Sequence, residues 1–191
     1  MTLLVAGLLL FIGVHLATRA RDGRARLIAR FGEPAYKIGY SALSTLALAL
    51  IVYGYSHALY VGVWTPPAWT RHIPAALMLP AFILLVSAYV PGRIRAAAKH
   101  PMLAAVKLWA FAHLAANGDL ASILLFGGLL AYGVIARILI KRRERKEGPA
   151  AAPAPVDGRN DIVAVAIGVV LYGVFGAFLH PILIGVPAFG S

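Results

Sequence analysis

Six apolar runs, joined by connections that are alternately basic and almost uncharged, constrain this chain more than anything else in it. A helix needs about 20 mainly apolar residues to cross a bilayer, with a working range of about 17–25. The runs extend from Thr2 to Thr18, Ile38 to Val61, Ile73 to Val90, Pro101 to Ala116, Leu120 to Ile140 and Asp161 to Leu179. The fourth is short, and its length also suits a tilted, half-buried helix or a re-entrant segment. No positive segment precedes the first run, so it reads as a retained span and not a cleaved signal peptide.

Of the 18 Lys and Arg residues, all but Arg71 and Lys107 fall in the first, third and fifth connections or at the helix end that opens the fifth. Positive connections stay in the cytoplasm. The expectation is therefore an all-α polytopic transmembrane helix bundle of about six spans, N-out/C-out. The alternation supports the span count, because a missed helix would scramble it.

Composition agrees. Hydrophobic residues make up 61% of the 191 and charged residues 13%, against about 45–50% and about 25% in a soluble domain. So little polar surface could not cover a water-soluble fold. The formal charge of +11 does not point to nucleic acid, because it is placed as a topology signal and no reading motif accompanies it. There is no cysteine, which excludes disulfides, thiolate metal sites and thiol nucleophiles.

One domain is expected over residues 1–191, with residues 141–160 as a flexible cytoplasmic linker. Its Ala/Pro-rich part has nothing to bury. In the first connection, Arg24, Arg26 and Arg30 alternate with Leu27, Ile28 and Phe31, which suits either a short interfacial helix or an ordinary basic loop. Trp64 and Trp69 fit an interfacial aromatic belt.

Six histidines occur. His15 and His113 lie within apolar runs and His180 at a run's end. Polar side chains inside membranes are rare and tend to face the bundle interior, and imidazole is a good ligand for haem iron. A histidine hydrogen-bonded to a neighbouring helix is the plainer alternative. The stretch Lys99 to Asp119 is the densest in polar residues. Pro101 suits a first helical position, with His100 at the cytoplasmic start. Lys107 shares a helix face with His100, and Trp109 with His113. Lys107 could snorkel to the interface or pair with a haem propionate or an acidic substrate. No nucleophile–base pair, phosphate loop or close carboxylate pair is visible, so hydrolysis and proton pumping have no evident machinery.

The elements Phe11-Ile-Gly-Val-His15, Trp64-Thr-Pro-Pro67, Tyr89-Val-Pro-Gly-Arg93, Lys99-His-Pro-Met-Leu103, Lys107 to Asp119, and His180 with Gly185-Val-Pro187 resemble the NnrU family over nearly the full length. The resemblance implies a multi-pass protein of the bacterial inner membrane, linked to nitrite and nitric oxide metabolism. Its partners would be the lipid bilayer and respiratory or denitrification enzymes.

That family is similar in turn to 15-cis-zeta-carotene isomerase, a haem b membrane enzyme. The similarity implies haem b as cofactor, His15 and His113 as iron ligands, and isomerase-like redox chemistry. Where the isomerase has a cysteine three residues before the second histidine, this chain has Ala110, which removes a thiolate ligand. Counted along their spans, His15 and His113 differ in depth by roughly 8 Å. Tilt could absorb that; otherwise His100 is the better depth partner for His15. Two further readings stand: a non-catalytic accessory protein for a denitrification reductase, and a membrane methyltransferase or reductase using the Lys99-His100-Pro101 element.

Overall fold

The computed structural model describes residues 1–148 and 158–189. The described residues are helical, joined by short loops, with one isolated antiparallel bridge between Gly62 and Asp119. The elements in chain order are α1 (Thr2–Ala17), α2 (Arg21–Phe31), α3 (Glu33–Ser56), a 3₁₀ turn (Ala68–Arg71), α4 (His72–Ser87), α5 (Arg93–Ala98), α6 (Pro101–Ala116), α7 (Leu120–Glu147), α8 (Arg159–Val174), a π-helical turn (Phe175–Leu179) and α9 (His180–Ile184).

The chain divides into two compact units. Residues 1–64 and 118–132 form the first; residues 65–117 and 133–191 form the second. In the first, α1 and α3 pack antiparallel at very close range. A Cβ on Gly7 would come within 2.8 Å of the Ile51 nitrogen, and one on Gly54 would meet the backbone of Leu3 and Leu4. Small residues permit this approach, the usual way helices associate where lipid removes the hydrophobic driving force between them. The first part of α7 joins through Gly128 against Leu8 and Ile12, and through a 2.8 Å hydrogen bond between the Tyr55 and Ser122 hydroxyls.

The second unit is built on α4, which packs against both α6 and α8. Gly168 lies on the backbone of Ile83, and the Tyr172 hydroxyl donates to the Ala75 carbonyl at 2.7 Å. The enclosed positions are mostly small: Ala110, Ala112, Ala136 and Ala164 are buried, whereas Ile162 and Ile182 are exposed. Apolar side chains facing outward around a small-residue interior are what a lipid solvent requires.

Four helices are long and apolar enough to cross a membrane: Glu33–Ser56, Ala68–Ser87, Leu120–Glu147 and Arg159–Ile184. The count reaches five if α1 and α2, bent by 88°, are taken together. The expected six is thus not reached by length. At 1.5 Å per residue, the 16 residues of α1 and of α6 span only about 24 Å of a core about 30 Å thick.

Boundaries also move. The second apolar run becomes helical at Glu33, not Ile38, because Gly32, with φ of 81°, breaks from α2 and Pro34 sits in the first turn. That helix ends at Ser56. Val61 to Trp64 are non-helical, and their backbone bonds Gly118 and Leu120. The expected linker is helical from Lys141 to Glu147, where Arg143 and Glu147 pair at 3.0 Å one turn apart. Residues 149–157 of that linker lie outside the described residues.

Candidate functional site

Two enclosed histidines and one charged helix-end network carry the polar chemistry. In the first unit, His15 stands two residues before the end of α1. Its Nδ1–H donates to the Phe11 carbonyl at 2.8 Å. A carbonyl can only accept, so Nδ1 carries the hydrogen of this bond and Nε2 is left outside it. The ring stacks on Phe11, with centroids 4.0 Å apart, and meets the edges of Tyr40 from α3 at 5.6 Å and Tyr132 from α7 at 5.9 Å. Arg19 reaches the Tyr132 hydroxyl at 3.4 Å, while its Nε is enclosed without an acceptor.

In the second unit, His113 repeats the pattern. Its Nδ1–H donates to the Trp109 carbonyl at 2.8 Å, and its ring lies 5.7 Å from the Trp109 ring. Asn117 Nδ2 caps the His113 carbonyl at 2.7 Å. His180 lies in the neighbourhood of His113. His180 in turn donates Nδ1–H to the Val186 carbonyl at 2.6 Å, across a turn where Gly185 has φ of 79°. The π-helical turn just before His180 sets Phe189 over Gly176. Such turns recur at functional sites.

Exposed His57 makes the same bond, to the Tyr53 carbonyl at 3.0 Å. The bond alone therefore comes with a helical histidine. Position sets His15 and His113 apart: both are half-buried within apolar helices, and His15 also meets Tyr40 and Tyr132 from other helices.

His100 and Lys107 do not share one role. His100 follows Lys99, whose φ of 57° is rare for a side chain with a Cβ. His100 Nε2 lies 3.4 Å from Glu144 on α7, and Arg137 Nη1 lies 3.5 Å from the other oxygen of the same carboxylate. His100 thus ties the start of α6 to α7. The stem of Lys107 crosses α7 at Gly133, where an added Cβ would lie 2.6 Å from Lys107 Cγ.

Three features escaped the sequence reading. His180 was seen only as a helix-end histidine, because nothing local ties it to a residue 67 positions earlier. The Tyr40, Tyr132 and Arg19 surround of His15 comes from α3, α7 and the turn after α1. Asp161 read as the start of an apolar run. Its two carboxylate oxygens accept from the Arg93 and Ile94 amides at 3.1 and 3.0 Å, capping α5 from a distant segment. Neighbouring Asn160 donates to the Pro91 carbonyl at 2.6 Å. Gly92 in the Tyr89-to-Arg93 element is the one signal that something presses against that loop.

Among the described residues, no three His, Asp or Glu side chains converge as a metal-ion site. The available donor group at His15 and His113 is an imidazole nitrogen, which suits haem iron. No curated protein and no solved structure matches the chain. The family model described as NnrU protein matches residues 3–188, nearly the whole length, and the chain belongs to the NnrU family.

Proposed function

We propose that this chain is a haem b-binding protein of the bacterial inner membrane, acting in nitrite or nitric oxide metabolism or in isomerase-like redox chemistry. The observation that carries the reading is the placement of His15 and His113, half-buried on apolar helices, with His15 set against Phe11, Tyr40 and Tyr132. Each gives its Nδ1–H to a backbone carbonyl one turn back, at 2.8 Å. That bond places a hydrogen on Nδ1 and leaves Nε2 as the nitrogen that would face iron, and such backbone support is typical of metal-ligating histidines.

His15 and His113 would each offer a ring nitrogen to haem iron, each from its own surroundings. Haem would supply one-electron chemistry. In the first unit, Phe11, Tyr40 and Tyr132 would hold the His15 ring and exclude water; in the second, Trp109 would do so for His113 and Lys107 would be offered to an acidic group. The topology that goes with this reading is six spans, with α1 and α6 crossing as short helices and both termini outside.

Haem content of the protein purified from haem-replete cells tests the reading. His15→Ala and His113→Ala should each lower haem per protein at least severalfold, with helicity unchanged. Full haem retention in both would defeat the assignment. Absence of haem in the unsubstituted chain would leave an accessory role beside a reductase.

A further inference from the structure

Helix α2 has eleven residues and buries none of them. It leaves the apolar α1 through three residues and turns by 88°. A helix at right angles to an apolar one lies along the plane of a membrane surface if its neighbour enters that membrane. Leu27 and Phe31, one turn apart, are 48% and 58% exposed. Arg26 and Arg30, also one turn apart, share a different face. The helix holds four arginines against one aspartate. Arg26 Nε reaches only the Asp22 backbone carbonyl, at 3.3 Å, and the nearby Glu33 carboxylate is taken by Lys37 at 3.0 Å. Arg24 lies over the Tyr36 ring at 5.8 Å, which holds α2 against the start of α3.

We propose that α2 is a surface-lying anchor whose partner is anionic phospholipid. Leu27 and Phe31 enter the acyl boundary, and Arg26 and Arg30 sit among the phosphates. An exposed apolar edge beside a row of arginines is the pattern of interfacial helices, and long basic stems reach from apolar surface to headgroups, as Arg30 reaches over the Phe31 ring at 5.2 Å. Charge favours lipid over a neutral protein groove. Position does too, because the helix continues directly from α1, whose Leu9 is 69% exposed.

The chain has no cysteine, so a nitroxide on Leu27→Cys reports from one place. The full chain is placed in nanodiscs of phosphatidylcholine alone or with one-third phosphatidylglycerol. Accessibility to oxygen and to a water-soluble nickel reagent then gives the label's depth. The label should be immersed with phosphatidylglycerol and shift toward water without it. Replacing Arg24, Arg26 and Arg30 by Gln should reduce the immersed-to-exposed ratio about fivefold per charge. Lysine at the same positions should largely restore it. A label on Leu9→Cys should stay lipid-immersed throughout, which reports an intact fold. Three results would overturn the proposal: Leu27 in water in both lipids, equal immersion in both with no effect of the Gln variants, or spin–spin broadening that marks a contact between two copies.

Discussion

A side chain on Gly92 would occupy the position of the Asp161 carboxylate. The loop before α5 and the start of α8 meet there because residue 92 has only hydrogen to offer. The two amides that follow, from Arg93 and Ile94, are satisfied by that carboxylate. Gly92 is extended, with φ of −146°, so close approach, and not backbone conformation, demands the glycine.

Substitution at either end of this contact should therefore weaken the second unit. Gly92→Ala must displace Asp161 and forfeit both amide bonds. Hydrogen bonds to charged groups contribute about 1.5–3 kcal/mol each, and partial exposure reduces that to about 2 kcal/mol for the pair. At this size the loss corresponds to about 4–8 °C in melting temperature. Asp161→Ala should cost a similar amount. Adding Asp161→Ala to Gly92→Ala should cost little more, which thermal unfolding of the purified protein would show as strong non-additivity.

The His100–Glu144–Arg137 network should matter far less. Its contacts are 3.4 and 3.5 Å long, and each side chain is about one-third exposed. Exposed pairs of this kind contribute under about 1 kcal/mol. Glu144→Gln should shift the melting temperature by no more than about 3 °C. A larger fall would show that the network fixes the start of α6 more firmly than its geometry suggests.

Lys107 separates packing from charge. Its stem lies against Gly133, so Lys107→Met should keep stability within about 1 kcal/mol, since an unbranched chain of similar length fills the same space. Gly133→Leu should lower it, because the helix surface there has no room. If Lys107 also faces an acidic group of a bound cofactor, the Met variant will fold normally yet retain less of it. Equal retention would leave Lys107 a snorkelling side chain.

Sidedness can be read from single cysteines, since the native chain has none. With both termini outside, Ala68→Cys in the loop before α4 should react with an impermeant thiol reagent added to intact cells. Cysteine in place of Lys141, at the basic end of α7, should react only after the membrane is opened. The reverse pattern would invert the topology.

The sequence showed some elements to the residue and hid others. Pro101 and Asn117 bracket α6, and the helix runs from Pro101 to Ala116 as expected, because proline and a turn-forming asparagine act locally. The Arg24-to-Phe31 segment suited a helix or a basic loop equally by sequence, and it is helical within α2. The start of α3 was missed because apolar content, and not the glycine at residue 32, was used to place it. Of the two short helices, α6 was already marked as short for a span, whereas α1 was counted as a full one, because apolarity reports solvent preference more directly than length. The surroundings of His15 and the Asp161 clamp could not be read at all. Each joins segments far apart in sequence, and neither follows a helical period.

The absorption spectrum of the purified, unsubstituted protein from haem-replete cells tests the central claim most directly. Ligation by histidine predicts a Soret band that sharpens and shifts on reduction, with resolved α and β bands. His113→Ala should change it while leaving helicity intact. A spectrum with protein absorbance alone, from material that is folded and helical, would contradict the account.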